Sequence, residues 1–454
     1  MFFKKTSAVK EDRKEPESPC TFIRDCGFSR RMDADGHNDG KENSGNAARI
    51  SFQDIRFGRL PSGDVRATFL TRYIFDIPAD DLRERIGEFS IEDGALVFPG
   101  VDENRAWKRF DPLLDEGFRG LRHLLYDKPA VYIHQNSSIP LIGTNEFGIM
   151  DRGSNILEVK PLTGCNFQCP YCSVDEGKND KTHDYIVECD YLVQEAAKLA
   201  AKKAHPVEFN IGPQGEPLLY PRTIELVRGL KSIPNCAVIS INTNGSLLTT
   251  QLIDDLAAAG LTRINLSLNA LTQDAADRLA GKKYPLEKTL RMVEYCRGKI
   301  AVLIAPTVVP GFNDDEIDGL VQLSTTIEKR GFPTIGLQNY LEYPKGRAPA
   351  KAREFPDFFA MLKPIEEKYG VNLTEMRKGD FAIFDEPEPP KPFFKNDIVR
   401  MRVMLPARYK NEIVAVAQGR CITVVGKDAH LLPIGKDIKA RIIRDKHNIF
   451  KAAI

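Results

Sequence analysis

The 454-residue chain has one tryptophan, seven histidines and no apolar run approaching the length of a bilayer-spanning helix. The missing run argues against a spanning helix, and no membrane partner is expected. The first residues, MFFKKTSAVKEDRKEPE, place no apolar segment after their lysines, so no secretory signal is expected and the cytoplasm is the expected compartment. The nine cysteines are then read as thiols, metal ligands or catalytic groups rather than a disulfide framework. Lone histidines such as His123 and His134 have no partner at ligand spacing, and no role is assigned to them. Charge of one sign is also scarce, with a net of +1 from 64 basic and 63 acidic residues.

That balance conceals an asymmetry. Residues 391–454 hold 14 Lys and Arg against 5 Asp and Glu, a net of +9, so the remainder carries −8. A basic tail on an acidic body points to a polyanionic partner. Apolar residues at 42% and charged residues at 28% are ordinary values that exclude wholesale disorder and fibrous classes.

Along the chain, residues 1–49 are polar and are expected to form a disordered extension. Residues 50–152 read as a small mixed α/β domain, with ATFLTRYIFDI as a strand and LRERIGEF as a helix. From 153 to 385 strands alternate with helices six times, with strands expected at 156–161, 207–211, 237–242, 263–268, 301–309 and 334–340. Such succession implies a parallel sheet, barrel-like or doubly wound, with its chemistry at the carboxyl ends of the strands. Residues 386–392 form a proline-rich linker. Residues 393–454 contain short alternating strands that fit a small β-barrel.

The most informative segment is Thr163-Gly-Cys-Asn-Phe-Gln-Cys-Pro-Tyr-Cys172, where Cys165, Cys169 and Cys172 are spaced C-x3-C-x2-C on the loop after the first strand. Three thiolates on one short loop suit a [4Fe–4S] cluster held by three irons, with the fourth open to a small chelating ligand. Zinc is the alternative, with His183 as a fourth ligand. The spacing, with Tyr171 before the last cysteine, resembles the radical S-adenosylmethionine (SAM) superfamily. That resemblance implies an α/β fold with a partial (β/α)6 barrel. It also implies that the open iron binds the amino and carboxylate groups of SAM, and that reduction splits SAM into methionine and a 5′-deoxyadenosyl radical.

The later strand ends extend the resemblance. Gly212-Pro-Gln-Gly-Glu-Pro217 resembles the family's GGEP loop, with Gln214 at the first glycine, and assigns Gly215, Glu216 and Pro217 to the amino group of SAM. Asn242-Thr-Asn-Gly245 resembles the TNG element, implicating Thr243, Asn244 and Gly245. Ser267 and Asn269 share one face of the fourth strand and match the polar pair at the ribose and carboxylate. Val309 and Gln338 are the expected adenine contacts. The resemblance also implies a one-electron donor such as ferredoxin or flavodoxin.

Residues 391–454 resemble a TRAM-like RNA-binding module. Arg400, Arg402, Arg408, Lys410, Lys439, Arg441, Arg444 and Lys446 are candidate phosphate contacts, and Tyr409 and His447 candidate stacking residues. The whole resembles archaeal radical SAM proteins with a C-terminal TRAM-like domain. The expected activity is radical modification of RNA, with tRNA first. Two rivals remain: modification of a protein or peptide, and a non-catalytic zinc-bearing RNA-binding protein. Residues 50–150 contain no cysteine, which argues against tRNA methylthiotransferases; Cys20 and Cys26 are left open as ligands of a second cluster. Cys189, Cys236, Cys296 and Cys421 are expected core thiols.

Overall fold

The computed structural model describes residues 47–125, 127–174, 182–375 and 377–454. Cys20 and Cys26 lie outside them. The described residues divide into two compact units, one comprising residues 47–67 and 76–119, the other residues 68–75 and those from 120 to 454.

In the first unit, Ala47–Ile50 pairs with Ala95–Pro99, which pairs with Ser90–Glu92, all antiparallel. The expected extension to residue 49 therefore ends in a strand, because Ala48 and Ile50 alternate with exposed neighbours and bury one face. Helix Glu103–Arg119 packs Trp107 and Phe110 against Phe52 and Phe57, with ring centroids 5.2–6.3 Å apart. The run read as one strand, ATFLTRYIFDI, is two strands, Val65–Phe69 and Tyr73–Ile77, because Leu70 and Thr71 adopt positive φ between them.

The second unit contains the β/α sheet. Strands Ile156–Lys160, Val207–Ile211, Cys236–Thr243, Arg263–Leu266 and Ala301–Ile304 lie side by side in chain order, all parallel. Gly148–Asp151 joins the outer edge of the first strand antiparallel. The fifth expected strand is interrupted at Pro306 and resumes as Thr307–Val308, on which Gln338–Asn339 pairs as a sixth parallel strand. The result is the partial (β/α)6 barrel. Its interior is polar, because alternate residues point one way along a strand. Asn242 Nδ2 donates to Asn210 Oδ1 at 2.8 Å and Asn265 Nδ2 to Asn242 Oδ1 at 2.8 Å. Deeper, Arg263 donates to Glu208 at 2.6 Å.

Residues 398–453 form a closed five-stranded barrel in the order Ile398–Pro406, Glu412–Ala417, Arg420–Val425, Lys451–Ala453 and Asp437–Arg444, closing on the first strand. The hairpin Glu412–Val425 turns at Gln418 and Gly419, both at positive φ, as a tight two-residue loop requires. Val399, Met401, Val403, Ile422, Val424, Ile442 and Phe450 fill its core.

This barrel is fastened to the β/α sheet within the same unit. Cys421 N donates to Ile142 O and Phe450 N to Gly143 O, both at 2.9 Å. Gly143 is needed there: a Cβ would lie 2.1 Å from Cys421 O. Residues 386–392, expected to be a linker, are tied down at several points. Glu386 accepts from His205 N at 2.8 Å, Glu388 faces His447 Nδ1 at 2.6 Å, and Pro389 O accepts from Asn448 at 2.8 Å. Among the described residues no helix is long and apolar enough to cross a membrane.

The docking corrects three expected RNA contacts. Arg408 is 1% exposed and Tyr409 7% exposed, Tyr409 lying under the Lys345 ammonium 4.0 Å from its ring centre. His447 is half-buried against Glu388. Each lies where the small barrel meets the rest of the unit, so none presents a free face to a nucleic acid.

Candidate active site

The loop leaving Ile156–Lys160 carries the three cysteines over the carboxyl ends of the parallel strands. Cys165, Cys169 and Cys172 all line one cleft of about 280 Å³. Four other segments hold this loop. Glu216 N donates to Gly164 O at 2.8 Å, Gln168 N to Ala280 O at 3.0 Å, and Asn244 Nδ2 to Asn166 Oδ1 at 2.9 Å. The Arg347 guanidinium donates to Gln168 O and Cys169 O at 2.6 and 2.9 Å.

The donor set fits an iron–sulfur cluster. Burial pushes the Cys169 thiol up to about 12, with Cys172 adding to the shift, so it is held protonated until a cationic cluster would favour its thiolate. Soft thiolates without carboxylates suit such clusters. Among the described residues no three His, Cys, Asp or Glu groups converge tightly enough for a single ion. His183, the expected zinc ligand, faces Thr182 Oγ1 at 3.0 Å and does not line the cleft.

Glu216 sits at the mouth of the second strand, 1% exposed. Its carboxylate accepts from Thr243 Oγ1 at 2.7 Å, Asn244 N at 2.8 Å and Leu218 N at 3.0 Å. Burial outweighs these bonds and raises its pKa to about 7. The ligand-free chain should therefore lose stability as pH rises. The unfolded carboxyl ionises near its ordinary value and the folded one near 7, so the loss develops between those values, reaches about 3 kcal/mol and is flat above them. We expect the stability of Glu216→Gln relative to the parent chain to grow by about that much between pH 4.5 and 8. Denaturant unfolding across this range, without SAM, measures it; a constant difference refutes it.

Tyr171 is half-buried in the cleft, its hydroxyl accepting from Asn269 Nδ2 at 2.6 Å. Asn269 Oδ1 accepts from Thr307 N at 2.9 Å, which links the fourth and fifth strand ends. Gly215, Thr243, Asn244, Ser267, Asn269 and Gln338 line the cleft with Glu216. Pro217, Gly245 and Val309 do not. Pro217 begins a short 3-10 turn, a Cβ on Gly245 would strike Leu266 at 2.5 Å, and Val309 is fully buried with its N–H on Asn313 Oδ1 at 2.8 Å.

Sequence reasoning missed Tyr284, whose hydroxyl donates to Asn244 O at 2.7 Å, and the helix Gln273–Ala280, whose Ala276, Leu279 and Ala280 wall the cleft. It also missed Asn339, Tyr340 and Tyr343 beyond Gln338. The one available signal was position: these residues follow expected strands, where a β/α barrel builds its site.

A three-thiol loop over the carboxyl ends of a polar-lined parallel barrel defines an enzyme built around an iron–sulfur cluster. Residues 159–324 match the model of the radical SAM superfamily. A protein of Methanocaldococcus jannaschii, described as uncharacterised, is 34% identical over 359 residues, 74% of this chain and 82% of that one. The chain belongs to the radical SAM superfamily, whose members use a [4Fe–4S] cluster and SAM, and it is an enzyme of that class. GTP 3′,8-cyclase of Crocosphaera subtropica is 34% identical over 175 residues, 37% of this chain and 50% of the cyclase. This chain thus spans about half the length of the cyclases it matches. Among solved structures, TYW1 with a lysine–pyruvate adduct is similar at a TM-score of 0.37 and 19% identity, covering 52% of this chain and 80% of that one. A likeness at that level says nothing of substrate.

Proposed function

We propose that this enzyme modifies RNA, with tRNA as the substrate class, and that its C-terminal barrel grips the phosphate backbone. The observation that carries this reading is the outer face of strands Ile398–Pro406 and Asp437–Arg444. Register sets Arg400 opposite Lys439 and Ile398 opposite Arg441. Arg400, Arg402, Lys439, Arg441 and Arg444 are all exposed. Asp437 pairs with Arg400 at 2.9 Å and lies 3.6 Å from Arg402, leaving the face strongly positive. Phe394 and Ile398, 59% and 64% exposed, supply apolar surface beside it for bases.

In this reading Cys165, Cys169 and Cys172 hold the cluster. Glu216 receives the ammonium of SAM; Thr243, Asn244, Ser267 and Asn269 orient its polar groups, and Gln338 lies toward its base. When bound, the cluster supplies the electron that splits the sulfonium carbon–sulfur bond of SAM. The electron comes from a small carrier such as ferredoxin or flavodoxin.

Two experiments test the RNA reading. The triple variant Arg400→Glu, Lys439→Glu, Arg441→Glu should weaken RNA binding about a hundredfold at moderate salt and flatten the log–log salt slope by about 2–3. Mass spectrometry of RNA nucleosides from a strain lacking the gene should show one modification missing. An unchanged nucleoside profile together with unchanged RNA affinity in the triple variant overturns the reading in favour of a protein or peptide substrate.

A further inference from the structure

The small barrel reaches two of the loops that wall the active site through one side chain, which does not itself line the cleft. Arg408 follows strand Ile398–Pro406, and its backbone is clamped by the β/α portion. Tyr185 Oη donates to Pro406 O at 2.9 Å, Thr182 Oγ1 to Ala407 O at 2.8 Å, and Thr182 N to Arg408 O at 2.8 Å. The guanidinium is wholly enclosed. Nη1 donates to Gln214 Oε1 at 2.9 Å and Nη2 to Thr163 O at 2.6 Å. Asp184, 3.9 Å away, balances the charge and accepts from Thr163 Oγ1 at 3.1 Å.

These partners are informative because of what adjoins them. Thr163 lies two residues before Cys165, and Gln214 directly precedes Gly215 and Glu216. We propose that Arg408 is a positioning residue for SAM: it fixes the distance between the cysteine loop and the Gly212–Pro217 loop, so the C-terminal barrel completes the SAM site. Both terminal nitrogens of this buried guanidinium depend on these loops, so moving either loop leaves a buried cationic N–H without its acceptor. The planar fork serves two acceptors at once, which a lysine ammonium on its flexible stem does not reproduce. The pairing also accounts for Gln214, since glycine there would give the guanidinium no side-chain acceptor.

The inference rests on membership of the superfamily and not on the RNA reading, because SAM binding is measured without RNA. The full chain would be prepared anaerobically as parent, Arg408→Lys, Arg408→Met and Gln214→Ala. Iron content, thermal unfolding, the Kd for SAM and the electron paramagnetic resonance of the reduced cluster with and without SAM are then compared. We expect all four to fold with about four irons per chain. The Kd for SAM should rise about tenfold in the Arg408 variants and about threefold in Gln214→Ala, from loss of charge-assisted bonds. The double variant Arg408→Lys/Gln214→Ala should bind SAM no worse than Arg408→Lys, since one bond is shared. Saturating SAM should restore the parent spectrum. A Kd within twofold of the parent in both Arg408→Lys and Gln214→Ala overturns the proposal. Should the Arg408 variants fail to fold, Gln214→Ala decides alone, because it alters only the loop side of the contact.

Discussion

Alanine at Cys165, Cys169 or Cys172 is expected to lower bound iron from about four per chain to below one and to abolish reductive cleavage of SAM. The three thiols line a single cleft, and no His, Cys, Asp or Glu among the described residues completes a compact metal site with them. Among the described residues no neighbouring ligand stands ready to replace a lost one. The loss in SAM cleavage should be at least about a thousandfold, beyond the 10–100-fold that follows removal of a group that only orients a ligand. Cys296 and Cys421 provide the internal comparison: both are buried away from the cleft. Cys296→Ala should keep its iron and its SAM cleavage. Anaerobic iron and sulfide analysis with chromatography of released methionine reads both outcomes. A Cys169→Ala protein that retains four irons, or a parent chain that binds zinc instead, refutes the assignment.

The cysteine loop and the parallel strands were legible because each carries its signal locally. Spacing marks the loop, and apolar runs bounded by turns mark the strands, which the structure places within a few residues of expectation. Two kinds of feature were not legible. Helix Gln273–Ala280 is only eight residues long and buries Leu279 with three alanines, Ala275, Ala276 and Ala280, so little large apolar surface marks it. The roles of Arg408 and Tyr409 depend on docking between parts of the chain about 200 residues apart. A basic residue and an aromatic at the end of an exposed-looking strand carry the same local pattern whether they meet RNA or another surface of their own chain. The same holds for Val309: the fifth strand was read correctly as leading to the site, but the break at Pro306 brings Thr307 to the cleft and turns Val309 into the core.

Gly215→Ala is expected to damage SAM binding severely, for a reason set by backbone rather than charge. Gly215 has φ of +63°. A left-handed conformation costs an alanine about 1–2 kcal/mol. The contact is more severe: a Cβ on Gly215 would lie 2.3 Å from Gly164 O and 2.7 Å from the Thr163 carbonyl carbon. Both neighbours are backbone, so no side chain can swing aside. Thr163 is moreover held by Asp184, Tyr185 and Arg408. Relief therefore requires the two loops to separate by about 1 Å, a displacement of the size that costs about a hundredfold in a site needing exact alignment. The separation also breaks the Glu216 N to Gly164 O bond and shifts the carboxylate that is to meet the ammonium of SAM. We expect SAM affinity to fall at least about a hundredfold while thermal stability drops by less than Cys-loop unfolding would demand. Gly311→Ala is the matched control: its φ is +75°, yet nothing lies within 4 Å of its added Cβ. Should Gly215→Ala bind SAM as tightly as Gly311→Ala, the contact between the two loops is not what shapes the SAM site.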